Sequence, residues 1–294
     1  DNQWGMHDYT REGAQGCTSF NEIIAKGYGE PQSAKEFAEL AQWVNYDGHR
    51  SLFESRSQNR KGLLMWMSHS CWPSMVWQTY DYYFEPTAAY FAIKKASEPL
   101  HIQWNPATDE VEVVNYSAGT HKGLTAKVQI LNMDASVAWE KEATVDSNED
   151  TTNKCIKLAF PANLSKVHFI KMVLTENGKV VSDNFYHRSL EENNYQDLRQ
   201  LAKVALQSTT TVDKNADGTW SAVSVIENKT STPALMIRLN VVGSKDGQQL
   251  LPVFYSDNYF SLLPGEKKEV RMSWKDEDTR GNEGKVLITG YNVE

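Results

Sequence analysis

The chain has 294 residues, too many for one ordinary hydrophobic core, so two or three structural units are expected. With 40% hydrophobic and 23% charged residues it has a globular composition, and it contains no apolar run of the ~20 residues that a membrane-spanning helix needs. A formal charge of -8 and the lack of clustered Lys and Arg argue against nucleic acid as a partner and leave room for a neutral ligand.

The chain begins at Asp1 without a basic and apolar leader pattern, so no signal peptide is visible. Ser33-Ala34-Lys35-Glu36 has the form of a capping box, and apolar residues follow at Phe37, Leu40, Ala41, Val44 and Leu52. This spacing predicts one helix over 33–57. Glu36, Glu39, Asp47 and Arg50 are left for solvent or polar partners. Leu63-Leu64-Met65-Trp66-Met67 is apolar on both faces, as a strand buried in a parallel sheet must be. An aromatic loop from Ser68 to Asp81 follows, and Glu85-Pro86-Thr87 opens a second helix running through Ala96. Helix, strand, loop and helix make an α/β fragment over residues 1–99.

From Leu100 the texture changes to short alternating strands. Those at 101–104, 111–114, 124–131, 137–145, 156–160, 169–174 and 180–186 match the count of an immunoglobulin-like sandwich over 100–190. A polar connector over 191–202 leads to a second such sandwich over 203–294, with turns at Asn215-Ala216-Asp217-Gly218, Asp246-Gly247 and Pro264-Gly265. Cys17, Cys71 and Cys155 show neither a disulfide framework nor metal-type spacing, and no metal or cofactor is indicated.

Nine Trp and thirteen Tyr are the skewed feature, with several Trp bunched between Trp66 and Trp77. Such a cluster suits a stacking surface for sugar rings, though Trp also fills cores. Trp66-Met67-Ser68-His69-Ser70-Cys71-Trp72-Pro73-Ser74, with Trp77-Gln78 and Tyr80-Asp81-Tyr82-Tyr83, resembles the last barrel strand and following loop of family 2 glycoside hydrolases. The branch is that of β-mannosidases, endo-β-mannosidase and exo-β-glucosaminidases. Gln42, Tyr46 and Arg50 are similar to its Gln-x-x-x-Tyr-x-x-x-Arg helix, and Tyr255 to Glu266 to the signature of its terminal sandwich.

The resemblance implies a partial (β/α)8 barrel remnant followed by two immunoglobulin-like antiparallel β-sandwiches, forming the carboxy-terminal portion of a retaining exo-acting β-glycosidase. In such an enzyme one carboxylic acid protonates the leaving oxygen while a second carboxylate ~5 Å away forms a glycosyl-enzyme intermediate. The resemblance places both at barrel strand ends before Asp1, so no catalytic residue is expected in this chain. The expected partners are a β-linked glycan and the preceding polypeptide, in a periplasmic or secreted protein. Glu22, Glu30, Glu36 and Glu54 are read as solvated charge.

The resemblance assigns substrate contact to Trp66 as the platform under the sugar, with His69 and Trp72 above it. The family usually carries Asn where this chain has His69, and Leu where it has Ser68. Trp4, His7, Asp8 and Tyr9 are possible rim residues. Trp77, Tyr80, Tyr82 and Tyr83 are expected to bury area at a domain interface, and the 257–260 turn to be structural. A carbohydrate-binding module would need exposed indoles at Trp104, Trp139, Trp220 or Trp274, each read first as a core or seam residue. A barrel strand deprived of its neighbours would leave unpaired N-H and C=O groups, so the first hundred residues carry a physical tension.

Overall fold

A computed structural model describes residues 20–55, 62–73 and 78–294. Trp4, His7, Asp8, Tyr9, Cys17 and Trp77 lie outside the described residues. Two compact units emerge from the chain's own contacts. The first combines the described parts of residues 1–49 and 64–92 with 201–294, and the second joins the described part of 50–63 to 93–200.

The second unit is built on seven antiparallel strands: β1 (Leu100–Asn105), β2 (Glu110–Asn115), β3 (His121–Asn132), β4 (Val137–Ser147), β5 (Thr151–Lys157), β6 (Val167–Glu176) and β7 (Lys179–Ser189). They form one sheet ordered β1-β2-β5 and another ordered β4-β3-β6-β7. Strand alternation sends Ile102, Val111, Val113, Leu124, Val128, Ile130, Ile170 and Met172 into a shared core. Each such side chain contributes about 1.5–3 kcal/mol through burial. Trp104 and Trp139 pack against this core. Between β6 and β7, Asn177 and Gly178 both take positive φ, 51° and 78°, the backbone demanded by a two-residue hairpin turn.

In the first unit a second set of strands comprises β8 (Gln207–Lys214), β9 (Thr219–Glu227), β10 (Ala234–Gly243), β11 (Phe254–Tyr255), β12 (Phe260–Leu262), β13 (Lys267–Lys275) and β14 (Gly284–Thr289). The sheets run β12-β10-β14 and β11-β13-β9-β8. Trp274 is only 2% exposed and lies parallel to Trp220, whose Nε1 donates to Asp276 Oδ1 at 2.7 Å. Gly284 leaves room for Trp274, because a Cβ there would stand 2.5 Å from the indole Cζ2. β8 lies at a sheet edge and is exposed along its whole length.

The 257–259 turn carries the chain from β11 in one sheet to β12 in the other. Buried Asn258 accepts from the Leu239 N-H at 2.8 Å and donates to the Leu239 carbonyl at 2.9 Å, as a neighbouring strand would. Pairing with both backbone groups of buried Leu239 explains why Asn stands here.

Three α-helices complete the described structure: α1 (Phe20–Tyr28), α2 (Ala34–Glu54) and α3 (Ala88–Ala96). Ser33 Oγ accepts from Glu36 N-H at 3.1 Å, while the Glu36 carboxylate accepts from Gln32 N-H at 2.6 Å. The capping box therefore forms, displaced by one residue on its return bond. α2 ends at Glu54, short of the predicted Ser57; it buries Leu40 and Trp43 and leaves Leu52 exposed. Gln42 Oε1 accepts from Ala88 N-H at 2.8 Å and so caps α3 from a different helix.

The predicted buried strand at Leu63–Met67 does not form. Residues 62–65 take no regular structure, and Leu64, Met65, Trp66 and Met67 are exposed. An apolar run becomes a buried strand only where neighbouring strands supply ladder bonds and cover both faces.

Candidate functional site

The aromatic loop is tied to the structure at its centre. Tyr80 N-H donates to Ser68 O at 2.9 Å, Thr79 Oγ1 donates to the same carbonyl at 3.0 Å, and His69 bridges in parallel with Tyr80. The His69 ring stacks on Phe84 with centroids 4.3 Å apart and planes 14° apart, and lies nearly parallel to Tyr82 at 6.4 Å. Its Nε2 is 3.2 Å from the Tyr82 carbonyl, where it acts as donor. Met67 and Phe84 hold φ of 68° and 67°, a left-handed backbone that costs energy for side chains of this size.

Trp66 is 81% exposed and Trp72 45%, both on this loop. The structure thus joins His69 to Phe84 and Tyr82, a pairing the sequence did not single out. Tyr82 and Tyr83, expected to bury area at an interface, are exposed, as is Phe84. Together with Leu64 and Met65 they give the first unit a run of apolar surface of the kind that marks interaction sites.

Two other clusters have the composition of active sites, and both are structural. Around His101, which is 1% exposed, Nε2 meets Glu54 Oε1 at 3.1 Å and Nδ1 meets Glu98 Oε2 at 3.1 Å. Tyr186 donates to Glu54 Oε2 at 2.9 Å, Asn184 to Glu54 Oε1 at 2.8 Å and Ser182 to Glu98 Oε2 at 2.7 Å. Arg50 donates to the Phe185 carbonyl at 2.6 Å and lies 4.0 Å from the Tyr186 ring centroid. Glu54 is therefore buried and bonded, contrary to its reading as solvated charge, whereas Glu22 and Glu30 are exposed. Burial opposes a charged His101, yet the hydrogen bonds to Glu54 and Glu98 outweigh it and raise its pKa. Burial also works against ionised Glu98, but the His101 hydrogen bond and the Lys95 charge lower its pKa on balance. Glu54 is closed off from any substrate, and partly exposed Glu98 is held by His101, Ser182 and Lys95.

At one end of the same sandwich, Ser117 Oγ lies 2.8 Å from His121 Nε2, and His121 Nδ1 lies 2.8 Å from Glu176. The likeness to a nucleophile triad stops at the proton. Asn115 spends its Nδ2 donors on Gly119 and Ser147 carbonyls, so its Oδ1 takes the Ser117 hydroxyl proton at 2.6 Å. With its proton directed at Asn115, the Ser117 hydroxyl does not offer it to the imidazole, as a serine nucleophile must to its general base.

Among the described residues no group of His, Cys, Asp and Glu could hold a metal ion. No described helix is long and apolar enough to cross a membrane. Cys71 and Cys155 are free thiols, and burial pushes the Cys155 pKa up to about 11, so it is inert as a nucleophile.

With this geometry in hand, similarity to known proteins is informative. The model of the exo-β-D-glucosaminidase Ig-fold domain matches residues 184–293. An exo-β-D-glucosaminidase of Streptomyces avermitilis is 31% identical over 305 residues, covering 93% of this chain and 34% of that protein. One from Hypocrea jecorina is 30% identical over 304 residues, covering 94% and 34%. The chain is homologous to the exo-β-D-glucosaminidases and mannosidases. A mannosylglycoprotein endo-β-mannosidase of Lilium longiflorum is 24% identical over 355 residues, with 98% of this chain and 37% of that protein covered. In structure, the exo-chitosanase of Amycolatopsis orientalis, solved with PNP-β-D-glucosamine, superposes with a TM-score of 0.89 at 28% identity, over 100% of this chain and 39% of that one. The chain spans about a third of the length of the curated relatives it matches.

Proposed function

We propose that this chain is the carboxy-terminal portion of a retaining, exo-acting β-glycosidase of the exo-glucosaminidase and β-mannosidase kind, working in glycan breakdown. In this reading both catalytic carboxylates belong to the preceding polypeptide, residues 1–99 complete its (β/α)8 barrel, and the two sandwiches brace that barrel. The protein is periplasmic or secreted, as suits an enzyme that meets polymeric glycans. The observation that carries the reading is the exposed Trp66 indole, on a loop whose sequence resembles a sugar-subsite wall, in a chain homologous to part of much longer glycosidases.

The chemistry contributed here is binding, not bond cleavage. Trp66 offers a flat apolar face to the CH groups of a pyranose, and Trp72 a second one. His69, held by Phe84 and the Tyr82 carbonyl, presents an edge to sugar hydroxyls. The carbohydrate-binding-module reading loses ground because Trp274 is buried, Trp104 and Trp139 pack on the core, and Trp220 is hydrogen-bonded against Trp274.

The test is hydrolysis of aryl β-D-glucosaminides and β-mannosides by the intact gene product, and by this chain alone. The intact product should turn over at least one of them, and this chain none. In the intact enzyme Trp66→Ala should lower kcat/KM about tenfold, the equivalent of a lost stacking contact of about 1.4 kcal/mol. An intact product inert on both substrates would overturn the assignment.

A further inference from the structure

A cavity of about 340 Å³ opens in the first unit between the amino-terminal half of α2, the 81–87 loop, β10 and β14. That volume lies at the lower end of small-ligand pockets and accommodates about one sugar residue. Met236, Leu287 and the rings of Tyr259 and Tyr291 supply an apolar wall. The Tyr291 ring is held edge-on to Trp43 at 5.0 Å.

The polar side divides into a fixed base and an available rim. At the base Arg238 pairs with Glu85, and Asn240 bridges them, donating to Glu85 Oε1 at 3.1 Å and accepting from Arg238 Nη2 at 3.0 Å. These groups satisfy one another. Asp81 behaves differently: its Oδ1 accepts the Tyr83 and Glu85 N-H groups at 2.8 and 2.9 Å, which leaves Oδ2 to the cavity. Gln42 commits Oε1 to α3 and keeps its Nε2 donors. Lys35 and Glu39, 3.8 Å apart and solvent-accessible, form a weak pair that a ligand can displace. Three carboxylates (Glu39, Asp81, Glu85) against two cations (Lys35, Arg238) leave the lining with one net negative charge.

We propose that this cavity is a second saccharide-binding site, taking one amino-sugar residue of a cationic glycan with its ring on the tyrosine wall and its ammonium at Asp81. The glycan class rests on the function proposed above, whereas the site rests on the cavity. Pyranose CH faces match the apolar wall, and hydroxyls match the spare donors of Gln42 and the Thr289 hydroxyl. A charge-assisted bond to Asp81 supplies the selectivity for a protonated amine. An acidic sugar is repelled by the same carboxylates.

Calorimetric titration of this chain at low salt with a β-1,4-linked glucosamine trimer tests the site. Asp81→Asn keeps an Oδ1 acceptor for the Tyr83 and Glu85 N-H groups while removing the charge, and Leu287→Trp fills the cavity from its exposed rim. Expected are saturable binding by the wild type, about tenfold weaker binding in Asp81→Asn and by the N-acetylated trimer, and loss in Leu287→Trp. No binding by the wild type overturns the proposal, as does undiminished binding in Asp81→Asn or loss confined to Trp66→Ala. Hydrolysis by the intact product in the absence of binding here sinks only the cavity; binding without hydrolysis sinks only the enzymatic reading.

Discussion

Around His101, the Glu54 carboxylate, the Asn184 amide and the Ser182 and Tyr186 hydroxyls are closed off from solvent and hydrogen-bonded, whereas Trp66, Trp72, Tyr82, Tyr83 and Phe84 turn their rings to water. The first region has the composition of an active site and the architecture of a clamp. The second has the composition of a core and the placement of a surface. Paired polar groups inside a fold fix its geometry and are expensive to break. Uncovered apolar groups keep their burial energy available, at about 25 cal/mol per Å², for whatever covers them. Function is therefore expected at the rings and stability at the carboxylates.

The strongest way to break this contrast is to remove a carboxylate. Glu54→Ala leaves Tyr186, Asn184 and His101 without a common acceptor and should cost about 3–5 kcal/mol in denaturant unfolding. A loss under 1 kcal/mol would show that the cluster is no clamp. Asn258→Ala strips the Leu239 N-H of its partner and the Leu239 carbonyl of one of its donors, and should cost about 1–3 kcal/mol, read from the same unfolding curves.

A smaller effect follows from pH. The folded-state pKa of His101 is raised, so its contribution is fully present below the unfolded value and is lost as pH rises through the folded one. Glu98 has a lowered folded-state pKa, so its contribution is present above the unfolded value and is lost as pH falls through the folded one. The melting temperature should fall on either side of the interval between these titrations. His101→Gln should flatten the decline on the alkaline side; an unchanged slope would remove His101 from the account. Smallest of all, Trp66→Ala should alter stability by less than about 0.5 kcal/mol, since the side chain is largely solvated. A loss above 2 kcal/mol would place that indole among the stabilising residues instead.

Local chemistry made much of the fold readable. Alternation marked the strands, Asn215 to Gly218 and Pro264-Gly265 marked turns, and Ser33 marked the start of α2. The capping box is decided by four consecutive residues, so no distant partner could alter it. Glu54 is the opposite case. Its partners His101, Asn184 and Tyr186 stand 47, 130 and 132 residues away, and no local pattern tells a clamped carboxylate at a helix end from a solvated one. The Leu63–Met67 reading failed for a related reason: a doubly apolar pentapeptide is consistent with a buried strand, but burial is supplied by neighbours that the pentapeptide cannot specify. His69 was flagged by position, whereas its stacking on Phe84 depends on a positive φ that Phe rarely adopts. The cavity lined by Asp81 and Tyr291 draws on five separate stretches of chain and left no signature in any one of them.

The outermost strand of the second sandwich, Gln207 to Lys214, carries polar side chains at all but one of its positions, and water reaches both of its faces. An open hydrogen-bonding edge normally invites another chain to add a strand. Here a docking strand would find no apolar footing on either side, so the free edge is disarmed by its own side chains. Concentrated solutions of this protein should accordingly self-associate through the indole-bearing loop and not through this strand, and a solubilising sugar or detergent would be expected to reverse what association there is.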